Sequence, residues 1–404
     1  MIAESTVLEN INSFKKVLGY GTCLGEDGRP MHKSWGNMIE FNEAAKKIGV
    51  DVMRWMYISH NPADNLLFGF RRADEVRRRF YLTLWNVYKF FVEYANLDKW
   101  LSPVIARSPI KPGDEAIQSN TFSTRLPRPA LGGTRNDTNI LDIWILNRLN
   151  WLIGYVEKSL KEFNAKDAAF EIEKFVNDLS TWYIRRSRNR VWVNSDNRSD
   201  KEGLYKTLYS VLVNLSVILS PFMPFITDEI YTNLTGNESV HLAQWPKLES
   251  TDADDQIFDD MSLLREIVEV GHRARKEDHL KLRQPLKKAT VLLPKNKKII
   301  LKKYLDDYLS LLKAEFNIKS IEIKETKKEI IEISYDKKLT NELIVEGRLR
   351  DLVRQIQGER KNLKIRPGQS INIIVPKEFA GFAEYLKKRV LAKKISIGTE
   401  LKIN

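Results

Sequence analysis

FVNDLSTWYIRRSRNRVW, residues Phe175–Trp192, is the stretch on which the reading of the fold turns. Phe175, Val176, Leu179, Trp182 and Tyr183 extend a stripe begun at Ile172, and apolar residues three and four apart mark one face of an α-helix. Arg185, Arg186, Arg188 and Arg190 follow the stripe, with Trp192 closing it. On a helix Arg186 and Arg190 share one face, and Arg185 and Arg188 another. Two readings stay open. The aromatics can continue the buried stripe while the arginines pair with acids. Alternatively, Trp182–Trp192 is an RNA-binding face, because guanidinium groups bind phosphates bidentately and aromatic rings accept unstacked bases.

Outward from this stretch the pattern stays helical from 140 to 234. Ile143, Ile145, Leu146, Leu149, Leu152, Ile153 and Val156 mark a helix before it, for which Asn139 or Asp142 is the candidate cap. Leu204, Leu208, Val211, Leu212, Leu215 and Leu219 mark one after it, which Pro221 should end or kink. A further helix is expected at 257–277. Several amphipathic helices with modest connections predict a bundle. Upstream, one helix is expected over 42–57 and a long one over Asp74–Tyr94, whose first half exposes Arg71, Arg72, Arg77, Arg78 and Arg79. Five of the fourteen prolines fall in 101–139, which reads as an irregular connector. The last third changes character. Ala289–Leu293, Ile318–Ile323, Ile330–Tyr335 and Ile371–Val375 read as strands, and helices are expected at about 299–313, 344–360 and 378–391, giving a small α/β domain. The sequence shows no internal repeat.

The chain has 404 residues and a net charge of +13, an excess that suits a polyanionic partner such as a nucleic acid, or equally a membrane surface, so the sign of the charge alone does not decide. Its one cysteine, Cys23, excludes an internal disulfide and argues against a structural zinc site. The five histidines are scattered, so no metal site is expected. The N-terminus lacks the apolar core of a signal peptide. The most apolar stretch, Val211–Ile226, is interrupted by Asn214, Ser216, Pro221 and Pro224, too often to span a bilayer. A soluble, cytoplasmic chain without a membrane partner is expected.

The sharpest local feature is GRPMHKSWGN, residues 28–37, after the Glu26-Asp27-Gly28 turn signal. A lysine on a glycine-flanked loop leaving a strand is suited to a triphosphate, where its compact ammonium meets developing phosphate charge, and the spacing alone equally describes an ordinary surface lysine. This segment resembles the KMSKS signature of class I aminoacyl-tRNA synthetases. Met31, Lys33 and Ser34 agree with it, while Pro30 stands at its first lysine and His32 at its first serine. The resemblance continues through Asn42–Ala45, Gly49–Trp55, Leu84–Tyr88, Leu141–Leu149, Ser220–Tyr231, Ser239–Leu242 with Trp245-Pro246, Lys281–Leu286 and Val353–Gln357. It is most specific over Phe175–Arg188, where it favours the isoleucyl-tRNA synthetases over the valyl and leucyl ones.

The resemblance implies a mainly α chain: a helical anticodon-binding bundle, preceded by a remnant of the catalytic nucleotide-binding fold and followed by a small α/β domain. The implied boundaries are 1–60 for the remnant, 61–100 for connecting helices, 101–139 for the linker, 140–285 for the bundle and 286–404 for the last domain. It implies ATP-dependent attachment of isoleucine to tRNA(Ile), with ATP and Mg2+ as substrate and no protein-bound zinc. Lys33 is the implied catalytic residue, with Met31, His32 and Ser34 also at ATP. The candidate tRNA contacts are Trp182, Arg185, Arg186, Arg188, Arg190 and Trp192, together with Lys281 and Arg283 from the acid-free stretch Lys281–Ile300. No His-x-Gly-His signature or editing-domain stretch occurs in these residues. A missing N-terminal catalytic and editing portion is therefore an expected partner, and the chain alone, a monomer, should bind tRNA without activating isoleucine. The rivals are a valine or leucine enzyme fragment and a free-standing tRNA-binding module.

Overall fold

The computed structural model describes residues 2–14, 17, 19–100, 139–192, 197–248, 256–297, 299, 302–365 and 368–403. The linker expected over 101–139 lies outside them, except for Asn139. The chain is mainly α and falls into two compact units. The first holds Met1–Leu131, Arg148–Arg188 and Glu202–Glu249, and the second holds Gly132–Asn147, Asn189–Lys201 and Ser250–Asn404.

In the first unit, α1 (Ile2–Glu9) precedes a two-stranded parallel sheet of β1 (Cys23–Gly25) and β2 (Leu66–Phe68). The single helix expected over 42–57 is two, α2 (Phe41–Lys47) and α3 (Val50–Ile58), because Gly49 breaks the run at φ 92°. Ala44, Ile48, Val52, Met53, Met56, Phe68 and Ala73 form the core beneath the sheet. The long helix expected over Asp74–Tyr94 begins earlier and is not regular. It runs as α4 (Phe70–Val76), a π-helical turn at Arg77–Tyr81, and α5 (Leu82–Leu97). Of its expected exposed arginines, Arg77 is half-buried and donates to the Lys47 and Ile48 carbonyls that end α2.

Next come α6 (Ile140–Lys161) and α7 (Ala165–Asp178), the latter continuing through a second π-helical turn at Leu179–Ile184 into α8 (Arg185–Ser187). Asn139 is the residue that caps α6, through its side-chain oxygen on the Leu141 N–H. In α9 (Arg198–Leu219) every residue from Thr207 to Leu219 is buried. Burial on all faces marks the centre of a bundle. The polar groups inside it bond locally: Asn214 donates to the Ser210 carbonyl and Ser216 to that of Leu212. α9 ends before Pro221, as expected, and α10 (Pro224–Thr235) begins with proline at a position where its missing N–H costs nothing.

One side of α3 fastens this corner. No side chain of α10 itself caps its N-terminus, but the buried Asp51 carboxylate accepts the Phe225 and Ile226 N–H groups at 3.2 and 2.7 Å. Arg54, one turn later, donates to the Pro221 and Phe222 carbonyls beyond α9. Caps of this kind are worth about 1 kcal/mol each. Trp55 stacks on Phe80 with centroids 3.9 Å apart and meets Phe222 edge-on.

The second unit contains α11 (Gln256–Glu277), then β3 (Leu286–Pro294), α12 (Leu305–Phe316), β4 (Ile318–Thr326) and β5 (Glu332–Tyr335). It continues through α13 (Asn341–Asn362), β6 (Ile371–Pro376), a 3-10 stretch at Lys377–Phe382, α14 (Ala383–Val390), β7 (Ala392–Gly398) and β8 (Lys402–Ile403). The four expected strands and three helices are present with shifted ends. β7 and β8 are additional: β7 alternates only weakly and has two lysines after its first residue, and β8 has two residues. The strands form two separate sheets, of order β4-β3-β5 and β7-β6-β8. In each, the middle strand runs parallel to one neighbour and antiparallel to the other. The two sheets thus share one topology, a repeat that the sequence did not reveal.

Candidate functional site: a phosphate loop and basic surfaces

The loop after β1 is built by glycines and one amide. The chain reverses at Gly25–Arg29, where Gly28 has φ 77° and the Gly25 N–H donates to the Arg29 carbonyl. Glu26 leaves this turn to accept the Arg72 N–H, capping α4, whose own N-cap Gly69 has no side chain to do so. A Cβ on Gly69 would lie 2.1 Å from the Glu26 Cγ, so glycine is what admits this contact. Asn37 then closes the next loop on itself. Its Nδ2 donates to the Pro30 carbonyl at 3.0 Å, and its Oδ1 accepts the His32 N–H at 2.9 Å. Between these clamps Lys33–Trp35 form one 3-10 turn ended by Gly36 at φ 69°. Met31 is half-buried, and His32, Lys33 and Ser34 are exposed. The His32 ring meets Trp35 edge-on, with centroids 4.5 Å apart. The Lys33 ammonium has no hydrogen-bond or ion-pair partner among the described residues. A fixed loop base with a projecting cation is the geometry needed to meet an anion without reorganising the backbone.

The arginine stretch divides by burial. Trp182, Tyr183 and Ile184 are buried with Leu179, four of the six residues of the π-helical turn. The extra residue in such a turn shifts the following residues around the helix axis. After it, Arg185 and Arg188 are exposed and Arg186 is half-buried. Arg185 stays close to the helix: its Nε donates to the Thr181 carbonyl at 2.7 Å, and its guanidinium lies 5.9 Å from the Trp182 ring. Trp182 therefore stands in the core, backing an arginine rather than facing solvent.

Arg190 is enclosed. It is 8% exposed, and its two terminal nitrogens donate to the two Asp142 carboxylate oxygens at 2.7 Å each. Its Nε lies 2.8 Å from Asp200 Oδ1, and Nη2 also reaches the Asp200 carbonyl. Trp192 is half-buried, and its indole N–H donates to the Lys388 carbonyl at 2.9 Å. Both side chains are occupied by the protein itself. Lys281 and Arg283 are exposed on the turn after α11, where Arg283 lies 3.4 Å from Asp351.

Sequence reading missed the groups that hold these surfaces in place. Arg148 is largely buried, bonded to Glu171 at 2.9 Å, 3.8 Å from Asp178, and lies over the Trp151 ring. Burial opposes the Glu171 charge, but hydrogen bonds from Lys174 and Arg148 hold its carboxyl below the usual range. An arginine and two acids on the buried registers of α6 and α7 were the available signal. No cluster of three metal-ligating side chains occurs among the described residues, and none of their helices is long and apolar enough to cross a membrane.

Two family models match the chain. One, described as the anticodon-binding domain of tRNA ligase, covers residues 142–291; the other, described as tRNA synthetases class I (I, L, M and V), covers residues 1–67. Together they define a class I aminoacyl-tRNA synthetase. Isoleucine--tRNA ligase of Clostridium novyi (strain NT) is 35% identical over 330 residues, 80% of this chain and 28% of that protein. That of Dehalococcoides mccartyi (strain ATCC BAA-2266 / KCTC 15142 / 195) is 32% identical over 422 residues, 98% of this chain and 38% of that protein. That of Porphyromonas gingivalis (strain ATCC BAA-308 / W83) is 37% identical over 295 residues, 72% of this chain. The chain belongs to the isoleucine--tRNA ligase family. It spans 28 to 38% of the length of the first two relatives. A solved ternary complex of Agrobacterium radiobacter K84 agnB2 LeuRS with tRNA and LeuAMS overlaps 81% of this chain and 36% of that chain at 16% identity and a TM-score of 0.42, too low to bear on the argument.

Proposed function

We propose that this chain supplies the tRNA-binding surface and the ATP-phosphate loop of an isoleucine--tRNA ligase, acting in the cytoplasm with a portion that carries the rest of the nucleotide-binding fold. The observation that carries the reading is the exposed pair Arg185 and Arg188, at the end of a π-interrupted helix within the segment matched by the anticodon-binding model. Guanidinium groups on a rigid helix end suit phosphates and unstacked bases. Arg186 stands beside them, half-buried. Trp182 backs Arg185 from the core, while the side chains of Arg190 and Trp192 are engaged by Asp142, Asp200 and the Lys388 carbonyl.

In the reaction of the whole enzyme the isoleucine carboxylate attacks the ATP α-phosphate, pyrophosphate leaves with its magnesium, and the aminoacyl group passes to the tRNA 3′ end. Lys33 serves that step as a charge on the phosphates, with Met31, His32 and Ser34 shaping the loop around it. The isolated chain is expected to bind tRNA and to show no isoleucine-dependent ATP–pyrophosphate exchange. Failure to bind tRNA, or exchange by the chain alone, contradicts the proposal.

A further inference from the structure

The repeated topology of the second unit extends to single residues. α11 and α13 each end in a buried arginine, Arg275 and Arg360, 1% and 5% exposed. Four residues after each arginine the chain turns through the left-handed region, at His279 and at Lys364, both φ 53°. One residue later, Leu280 and Ile365 donate their N–H groups back to the Arg275 and Arg360 carbonyls. The first strand of each copy then opens with an N–H bonded to a left-handed residue, Leu286 to Asn317 and Ile371 to Leu391. Each arginine spans the same gap. Arg275 donates to the Gln284 and Asn317 carbonyls, and Arg360 to those of Gln369 and Val390. The buried residues correspond too: Ala289 and Val291 with Ile373 and Val375, and Leu312 and Phe316 with Leu386 and Val390. α11–β5 and α13–β8 are two copies of one module, each locked by an arginine on backbone carbonyls.

The two copies separate what the module requires from what it carries. Arginine, glutamine and the strand apolars recur. The surface of residues 281–285 recurs only in part: Arg366 stands where the first copy has Lys281, but Gly368 stands where it has Arg283. In the first copy this turn is held more completely. The carbonyls of Lys281 and Gln284 accept from Arg275, those of Leu282 and Arg283 from Asn317 Nδ2, and that of Pro285 from Gln284 Nε2. Gln284 also reaches the Leu343 carbonyl at 2.7 Å, and Gly347 leaves room for it. Every carbonyl of the turn thus has a donor, while Lys281, Leu282 and Arg283 project, Leu282 being 52% exposed. The Lys281 ammonium has no partner among the described residues. The Arg283–Asp351 pair is long and half-exposed on both sides, so a phosphate can displace it.

We propose that the first copy's arginine lock serves RNA binding, by fixing residues 281–285 as a rigid platform from which Lys281 and Arg283 engage a tRNA phosphate backbone. This rests on the tRNA-binding reading above. Arg275, Gln284 and Asn317 are positioning residues for that contact. Charge complementarity argues for the occupant: the stretch Lys281–Ile300 has no acid, and the anticodon-binding match extends over the platform to residue 291.

The test is a titration of the full chain with tRNA between about 50 and 200 mM salt. K281A/R283A is expected to weaken binding and to lower the slope of log K against log salt by about 1 to 2, one unit or less per lost phosphate contact. N317G keeps a residue content with φ 51° and removes both Nδ2 bonds, together with the bond that Arg350 makes to Oδ1. It is expected to weaken binding about threefold, through lost preorganisation, at temperatures well below its own unfolding transition. Unchanged affinity and slope in K281A/R283A, while R185A/R188A weakens binding, overturns this proposal and leaves the tRNA-binding reading standing. N317G that binds tRNA as tightly as wild type overturns the positioning role. A wild-type chain that fails to bind tRNA removes the reading on which the proposal rests.

Discussion

Replacing Arg190 by alanine should cost the chain stability, not a tRNA contact. The guanidinium makes two 2.7 Å bonds to Asp142, whose side chain is 6% exposed, and lies 2.8 Å from Asp200, whose side chain is 25% exposed. Removing one partner of a buried pair leaves the other charge without compensation, at a cost of about 3–5 kcal/mol. Exposed Arg188 carries no such burden, and R188A should stay within about 0.5 kcal/mol of wild type. With a urea slope of about 2–3 kcal/mol/M, R190A should lower the unfolding midpoint by more than about 1 M, and R188A should leave it in place. Below its own transition, R190A should bind tRNA with the wild-type salt slope, because no phosphate contact has been removed. R190A with wild-type stability and a reduced salt slope would show that Arg190 reaches RNA, and would refute the division of the arginines by burial.

Asp51 gives a pH-dependent prediction. Burial pushes its carboxyl up, against the pull of the Ile226 and Phe225 N–H groups and Arg54. A carboxyl whose pKa is higher in the folded state contributes stability that is fully present below the unfolded pKa and is lost as pH rises through the folded value. D51N should therefore cost about 1 kcal/mol at neutral pH, having one acceptor for two N–H groups, and should flatten the pH dependence that wild type shows in the mildly acidic range. A wild type that gains stability as pH rises through that range would reverse the sign. In the complete enzyme, K33A should slow isoleucine-dependent ATP–pyrophosphate exchange by about 100-fold or more and leave tRNA binding within about twofold; an unchanged exchange rate removes Lys33 from the phosphates.

Helical periodicity located α7, α9 and α11, because each keeps an apolar stripe over several turns. It did not reveal the π-helical turns at Arg77–Tyr81 and Leu179–Ile184, since one inserted residue barely alters spacing that is already mixed between three and four. Nor did it decide the arginine faces. The helical pairing of Arg185 with Arg188 and of Arg186 with Arg190 does not hold, because the helix ends at Ser187 and Arg190 lies in the turn after it; Arg185 and Arg188 are exposed, Arg186 half-buried and Arg190 buried. That Arg190 faces inward depends on Asp142, remote in sequence. The loop of residues 28–37 stood out in GRPMHKSWGN, yet the Asn37 clamp and the Glu26 cap did not, because each joins residues through geometry that no local pattern encodes. The module repeat stayed hidden for the same reason. Its two copies share an arginine, a glutamine and a few strand apolars, too little for self-similarity, while the hydrogen bonds those residues make are alike.

The central claim, that this chain is the tRNA-holding part of an isoleucine--tRNA ligase, is tested most directly by equilibrium binding of the wild-type chain and R185A/R188A to tRNA(Ile) and to a non-cognate tRNA at fixed salt. The account predicts tighter binding of tRNA(Ile) by wild type, and loss of at least about tenfold in R185A/R188A at unchanged melting temperature. Equal affinity of wild type and variant for tRNA(Ile), or no preference between the two tRNAs, would contradict it.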